Sequence, residues 1–301
     1  MAARRSRLGC AALTALVLLV AVVGAAVWLI RQTGATDTAS NRCVAESDGT
    51  SWELSAAQAD NAALIAVTSM QRGMPARAAT IGLATALQES RLINIDYGDR
   101  DSVGLFQQRP SQGWGTVEQI MDPVYSTGKF YDGLADVAGY TDMAVTEAAQ
   151  AVQRSAFPDA YAQHEPRARA WASALTGWST AALTCDLSTP EQPGSGDAFG
   201  TRVQRDFAGT VLSSTDGSAD GSRLLLSTDA LAAASGAEAS RSGWAVAQWA
   251  VAVAAEQQVV GVQVGDRLWD RAGDGWATAA DSLPAGTVAV TLAGQRSDGS
   301  T

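Results

Sequence analysis

The part of the chain best suited to chemistry is a Glu-Ser pair followed fifteen residues later by a glycine-led motif. Glu89 and Ser90 stand near the end of an alanine-rich helical run, and the sequence GLFQ begins at Gly104, after a loop. A carboxyl group that is partly removed from water at a helix end has a raised pKa and keeps its proton near neutral pH. Such a group can protonate a glycosidic oxygen, so Glu89 is the candidate general acid.

These two motifs resemble those of the lysozyme-like lytic transglycosylases, which carry a Glu-Ser pair and, after a loop, Gly-Leu-Met-Gln. Phe106 stands in place of that methionine, and the spacing matches. The family has a further helix with Tyr-Asn-Ala-Gly, whose nearest counterpart here is the segment 148–156, which lacks the Tyr-Asn pair. The resemblance covers residues 51–176 and is strongest to membrane-anchored cell-wall proteins of actinobacteria.

The resemblance implies a reaction in which Glu89 acts first as general acid and then as general base. Glu89 would cleave the bond between N-acetylmuramic acid and N-acetylglucosamine in peptidoglycan, and the C6 hydroxyl of the same sugar would close on C1 to give a 1,6-anhydro product. Ser90 would steady Glu89. No cofactor or metal is expected. The predicted substrate-binding residues are Ser90, Tyr97, Gln107, Gln108 and Gln153.

Two other functions fit the same residues. A muramidase would use water, and an inverting hydrolase needs a second carboxylate about 6.5 to 9.5 Å from the acid to activate it. Asp96, Asp99 and Asp101 lie in the loop between the motifs, where aspartate is also common as a turn residue. A non-catalytic peptidoglycan-binding or scaffold protein is the third hypothesis, motivated by the missing Tyr-Asn pair.

Helices are the elements predicted to position these residues. Thr116 with Gln119 has the pattern of a capping box, and Asp122 before Pro123 that of a helix start. Trp114 and Trp178 are candidates for stacking on sugars, with ordinary packing as the alternative. The fold class predicted for residues 51–186 is a mainly α lysozyme-like domain, with helices over residues 55–72, 76–92 and 158–175 and another from Thr146.

A second domain is predicted beyond a linker at residues 187–199, which is rich in proline, glycine and serine. Residues 242–257 form a strongly apolar helical segment, and glycine turns separate short strands over 259–271, 275–280 and 286–293. We predict a small α/β domain over 200–294. The sequence of this segment contains no Ser-His-Asp set, phosphate-binding glycine loop or metal-ligand spacing, so its role is not identified.

The amino terminus predicts a location outside the cytoplasm. An arginine-rich start precedes an uncharged apolar run at residues 10–30, and twenty-one residues at about 1.5 Å each can span a bilayer core of about 30 Å. We predict a cytoplasmic tip and transmembrane helix over residues 1–34, a stalk over 35–50, and a bulk on the cell-wall side. A signal peptide cleaved after residues 24–26, giving a secreted protein, is the alternative.

The cysteines, the single histidine and the net charge limit the kinds of site and partner that the protein can have. Cys43 and Cys185 bracket the helical region, so an oxidising exterior predicts a disulfide between them, with two unpaired thiols as the alternative. The single histidine, His164, argues against a zinc site built from histidine and cysteine clusters. The net charge of −10 and the single lysine argue against nucleic acid. The predicted partners are peptidoglycan glycan strands, the cytoplasmic membrane and other wall-processing proteins.

Overall fold

The computed structural model describes residues 41–215 and 222–294. Its first element is a hairpin of β1 (Arg42–Ser47) and β2 (Thr50–Ser55), joined by Asp48 and Gly49. Both turn residues have a positive φ, 51° and 72°, as a type I′ hairpin turn requires, and Asp-Gly pairs adopt such angles readily. A third strand, β3 (Leu183–Asp186), pairs antiparallel with β1, so the sheet has the order β2-β1-β3.

A disulfide joins Cys43 to Cys185, which confirms the sequence prediction. The two cysteines are directly opposite each other in the pairing of β1 with β3. They are 142 positions apart in the chain, and closing a loop of that length removes unfolded-chain entropy worth roughly 5 kcal/mol in a chain-entropy treatment. The bond fastens the strand before the first helix to the strand after the sixth.

Helix α2 (Ala76–Ser90) is the centre of the helical half. Its residues from Ala78 to Leu87 are all buried, and it packs against four other helices of this half. Small side chains permit this close packing: a Cβ added to Gly82 would lie 2.8 Å from the Tyr131 hydroxyl oxygen. The helices of this half are α1 (Ala56–Gln71), α2 (Ala76–Ser90), α3 (Val117–Met121), α4 (Pro123–Ala135), α5 (Val145–Gln153) and α6 (Glu165–Leu175).

Local capping signals placed the helix starts well, with one exception. Ser55 caps α1, and the capping box of Thr116 and Gln119 is present at α3. Asp122 caps α4 through the Val124 amide. The helix predicted over 158–175 is wrong at its start, because Pro166 lies in the first turn of α6 and the residues before Glu165 form a loop and a short 3-10 turn.

The carboxy-terminal half is built on a six-stranded antiparallel sheet of order β4-β5-β9-β6-β7-β8. The strongly apolar segment predicted as one helix is divided between α9 (Ala239–Ala252) and α10 (Ala254–Gln257). Preceding helices are α7 (Gly196–Phe207) and α8 (Asp229–Ser235). The strands are β4 (Leu212–Thr215), β5 (Arg223–Ser227), β6 (Val259–Val264), β7 (Arg267–Asp270), β8 (Trp276–Thr278) and β9 (Thr287–Leu292).

The two halves share one core. Helix α9 packs against α1, α6 and β3 as well as against β6 and β9. Its fully buried Gln248 accepts hydrogen bonds from the Ala182 and Leu183 amides at 3.0 and 2.9 Å, and donates to the Ala174 and Ser179 carbonyls at 2.6 and 2.9 Å. The described residues from Arg42 onward accordingly form one compact unit.

The predicted fold class, a mainly α lysozyme-like domain followed by a small α/β domain, is wrong. Two antiparallel sheets, of three and six strands, are present, so the described chain has an α+β fold. Strand β1 begins inside the segment predicted as a stalk, and its Asp-Gly turn is the signal that predicts a hairpin there.

A membrane-spanning helix also belonged to the predicted fold class. Within residues 41–215 and 222–294, no helix has the length and apolar character needed to cross a bilayer. The helix predicted at residues 10–30 lies outside the described residues.

Candidate active site

Glu89 lies in the last turn of α2, where the chain reverses sharply. Arg91 and Leu92 both have left-handed backbone angles, with φ of 56° and 59°, which non-glycine residues adopt only at a cost. The turn is held from α1, because the Gln58 side chain donates to the Arg91 carbonyl at 2.8 Å and the Asn61 side chain to the Leu92 carbonyl at 2.9 Å. The helix end that carries Glu89 is therefore held against α1.

The Glu89 carboxyl group is positioned by two side chains. The Tyr161 hydroxyl donates to Glu89 Oε1 at 2.6 Å, and the Gln153 side chain lies close enough to the carboxyl to lower its pKa. Burial raises the pKa of Glu89 above its ordinary value of 4.5, while the hydrogen bond from Tyr161 and the nearby Gln153 side chain oppose that rise. Burial and the nearby Glu89 charge also raise the pKa of the Tyr161 phenol, so it remains a donor. This arrangement suits an acid that gives up its proton and is then stabilised as a carboxylate.

The GLFQ motif forms a tight turn against the end of α2. Val103 and Gln108 pair across the turn, with N···O distances of 3.1 and 3.0 Å. The Ser90 hydroxyl donates to the Leu105 carbonyl at 2.7 Å, and the Gln153 amide donates to the Phe106 carbonyl at 2.7 Å. The Ser90 hydroxyl therefore joins the two motifs, which the fold brings together.

The predicted substrate-binding residues have different surroundings. Ser90 is buried and bonded to the GLFQ turn, and Gln108 is only 2% exposed and donates to the Ser126 carbonyl at 3.0 Å, so both support the site from within. Gln107 is half-buried and donates to the Tyr97 carbonyl at 3.2 Å. Tyr97 is 70% exposed. Gln153 is the one whose side chain contacts Glu89.

The three loop aspartates are not equivalent. Asp101 accepts from Arg109 Nε at 2.7 Å and from the Ser111 amide at 2.8 Å. Hydrogen bonds from Ser111 and Arg109 hold the pKa of Asp101 well below its usual range. Asp96 and Asp99 are exposed. Asp101 therefore fastens the loop to the segment after the GLFQ turn. Both of its carboxylate oxygens accept hydrogen bonds from that segment.

A cavity of about 760 Å³ lies next to the site. Gln153 belongs to both the cavity and the site, since it lines the cavity and lies beside the Glu89 carboxyl. Trp114 also lines the cavity, whereas Trp178 is 63% exposed elsewhere and stacks under Arg241 at 4.7 Å. The remaining lining residues are Gln112, Gly133, Asp136, Val137, Ala151, Val152 and Arg154.

Tyr161 is a site residue that was not predicted from the sequence. It falls within the helix predicted over 158–175, where its contact with Glu89 could not be recognised. The available signal was Pro166, which marks the true start of α6 and leaves Tyr161 in the loop before it. A tyrosine on a loop that returns to the end of α2 would then have been a candidate partner of Glu89.

No protein-family model matches the chain, and the comparison with curated proteins found no match. Within the described ranges, no group of three or more His, Cys, Asp or Glu side chains could hold a metal ion. The assignment of chemistry therefore depends on the geometry around Glu89.

Replacing Tyr161 with phenylalanine should lower the rate and shift its pH dependence. The hydrogen bond from Tyr161 lowers the pKa of Glu89, so its loss raises that pKa further and moves the alkaline limb of the rate profile to higher pH. A hydrogen bond to a charged group contributes about 1.5 to 3 kcal/mol, so kcat should fall by roughly one to two orders of magnitude. Measuring the kcat profile of Tyr161→Phe from acid to alkaline pH checks both effects. Tyr140→Phe is the control, and an unshifted limb in Tyr161→Phe would contradict the assignment.

Proposed function

We propose that this protein is a peptidoglycan lytic transglycosylase with Glu89 as its general acid and base. The observation that carries the proposal is the partly buried Glu89 carboxyl, whose pKa is raised by burial and which accepts a hydrogen bond from Tyr161. A solvated surface glutamate has neither feature. The proposal also draws on the contact of Ser90 with the GLFQ turn, which joins the two motifs at the acid.

The proposed reaction has two steps and consumes no water. Glu89 donates its proton to the oxygen that joins N-acetylglucosamine to C1 of N-acetylmuramic acid, and the C1–O bond breaks to leave an oxocarbenium-like centre. The resulting Glu89 carboxylate, stabilised by Tyr161 and Gln153, takes the proton of the C6 hydroxyl. The C6 oxygen then bonds to C1. The products are a 1,6-anhydro sugar and a new non-reducing end, and Glu89 is protonated again.

We place the reaction on the outer side of the cytoplasmic membrane, where peptidoglycan is found. The disulfide between Cys43 and Cys185 supports this location, because such bonds persist in oxidising surroundings. Peptidoglycan glycan strands are the proposed partner.

Hydrolysis is the alternative use of the same acid, and one contact disfavours part of it. Asp101, one of the three candidates for activating water, has both carboxylate oxygens occupied by Arg109 and Ser111. Asp96 and Asp99 remain as candidates. The nature of the product end distinguishes the two reactions, since only hydrolysis creates a reducing sugar.

Incubation of the full-length protein with purified peptidoglycan, followed by mass analysis of the released muropeptides, tests the proposal. We expect 1,6-anhydro ends, which are lighter by one water than the hydrolytic products. Reducing ends alone would replace the transglycosylase assignment with a muramidase. Absence of any released fragment would contradict both enzymes and favour a binding or scaffold protein.

A further inference from the structure

The cavity next to Gln153 contains features that a neutral sugar ring does not require. We infer that it binds the stem peptide of peptidoglycan, with Arg154 contacting a peptide carboxylate and Asp136 contacting a peptide ammonium group. This inference rests on the proposed function and names the part of the substrate that the cavity recognises.

Two opposite charges line the cavity without a protein partner. Asp136 follows the end of α4 and Arg154 follows the end of α5, and both are exposed. Within the described part of the chain, neither side chain forms a hydrogen bond or ion pair. The N-acetyl sugars of the glycan carry no charge where the peptide is attached, whereas the peptide carries both carboxylates and a free amine. The peptide therefore has the two kinds of charged group that Asp136 and Arg154 can bind.

The backbone holds Arg154 in place. Its φ of 53° is left-handed, and its amide donates to the Gln150 carbonyl at 2.8 Å. The Gln150 side chain in turn donates to the Ser155 carbonyl at 2.8 Å, which closes the turn on the other side. Arg154 thus extends from a fixed turn directly after Gln153, and a ligand need not order that turn on binding.

The part of the cavity lining formed by Trp114, Gly133 and Val152, here called its floor, is apolar. Gly133 lies inside α4, where glycine is unfavourable by about 1 kcal/mol relative to alanine. A Cβ at this position would stand 3.1 Å from Val152 Cγ1 and 3.8 Å from Trp114 Cη2. Glycine therefore leaves the floor clear between Trp114 and Val152, so that the apolar stems of amino-acid side chains can pack there.

Gln153 connects this cavity to the acid, since it lines the cavity, lies beside Glu89 and donates to the Phe106 carbonyl of the GLFQ turn. In the proposed reaction the sugar attacked at C1 is N-acetylmuramic acid, which is also the sugar that carries the peptide. A peptide bound in the cavity would therefore hold the reacting sugar beside Glu89. We expect the cavity to contribute to substrate choice as well as to affinity.

Calorimetric binding to the full-length Glu89→Gln protein tests the inference without turnover. Three probes are compared: a disaccharide tetrapeptide with a free amine on its diamino residue, the same molecule acetylated at that amine, and the disaccharide without peptide, its lactyl carboxyl capped as a simple amide so that it carries no charge. We expect the acetylated probe to bind about tenfold more weakly than the first, equivalent to about 1.4 kcal/mol, and the disaccharide without peptide to bind more weakly still. Added to that background, Asp136→Asn should remove the difference between free and acetylated amine, and Arg154→Gln should weaken both peptide-bearing probes.

Asp159→Asn, which changes an exposed carboxylate outside the cavity, is the matched control and should leave all three affinities unchanged. Equal affinity for the first and third probes, or no effect of Asp136→Asn, would overturn the inference. Cleavage of peptide-free glycan strands by the wild-type protein would at the same time keep the proposed function. If the wild-type protein cleaves no form of peptidoglycan, the proposed function fails, and the binding data still decide whether the cavity takes the peptide.

Discussion

Replacing Glu89 with glutamine is expected to reduce glycan cleavage by about a hundredfold to ten-thousandfold, the usual contribution of a general acid. Glutamine keeps the shape of the side chain and can still accept the hydrogen bond from Tyr161. It cannot deliver a proton to the glycosidic oxygen. Muropeptide release from purified peptidoglycan measures the loss, and wild-type release by Glu89→Gln would refute the assignment.

The same substitution should stabilise the fold at neutral pH. Because burial raises the pKa of Glu89 above 4.5, the folded state binds more protons than the unfolded state between 4.5 and the raised value. Stability therefore falls as the pH rises through this window. Glutamine has no charge to desolvate, so Glu89→Gln should melt at a higher temperature than the wild type at pH 7.

The stability gain of Glu89→Gln should disappear in acid, below the ordinary pKa of 4.5, where Glu89 is protonated in both the folded and the unfolded state. Glu256→Gln is the control, because Glu256 is an exposed carboxylate in the carboxy-terminal half. This substitution should change neither activity nor melting temperature. A lower melting temperature for Glu89→Gln at pH 7 would mean that Glu89 is a structural residue. The opposite effects on rate and stability are the signature of a functional group.

How well the sequence predicts this fold depends on how far apart in the chain the interacting residues are. The capping box of Thr116 and Gln119 and the proline start at Asp122 involve neighbours in the chain, and the structure confirms both. The disulfide could be predicted because oxidation leaves few choices for two cysteines. The hairpin at Asp48 also carried a local turn signal, and the error there was to treat small polar residues as a stalk.

Long-range contacts could not be predicted in the same way. The hydroxyl of Ser90 is bonded to Leu105 and the amide of Gln108 to Ser126. Both side chains were predicted to contact the glycan, because a polar residue in a motif has the same appearance whether it faces a ligand or a backbone carbonyl. Tyr161 was missed because a hydrogen bond across 72 positions leaves no pattern in one sequence.

The packing of the two halves against each other could not be predicted from the sequence either. An apolar run such as 242–257 has the same pattern whether it packs on its own sheet or on a neighbouring helix layer. In the structure α9 does both, and Gln248 is bonded to four backbone groups of the helical half. The carboxy-terminal half therefore supports α1 and α6, and through them the helix that carries Glu89.

The second large effect is expected at Asp206, the centre of a buried charged network between the halves. Its side chain is fully buried and accepts from Arg202 Nε at 2.8 Å, Arg205 Nε at 2.7 Å and Trp249 Nε1 at 2.9 Å. Arg202 in turn pairs with Asp60 of α1 at 2.9 Å. Removing one member of such a network leaves the others buried without their partner.

Asp206→Ala should therefore destabilise the whole described fold by about 3 to 5 kcal/mol, as removal of one partner from a buried ion pair does. The Trp249 indole loses its acceptor and Arg202 keeps only Asp60, so α7 and α9 loosen together from α1. Melting temperature and urea midpoint measure the loss, which corresponds to a shift on the order of 10 °C for a protein of this size. Asp197→Ala, on the exposed first turn of the same helix, is the matched control and should cost less than about 1 kcal/mol. If Asp206→Ala loses no more stability than Asp197→Ala, or if only part of the protein unfolds while cleavage by the helical half persists, the two halves are independent and the shared core does not support the site.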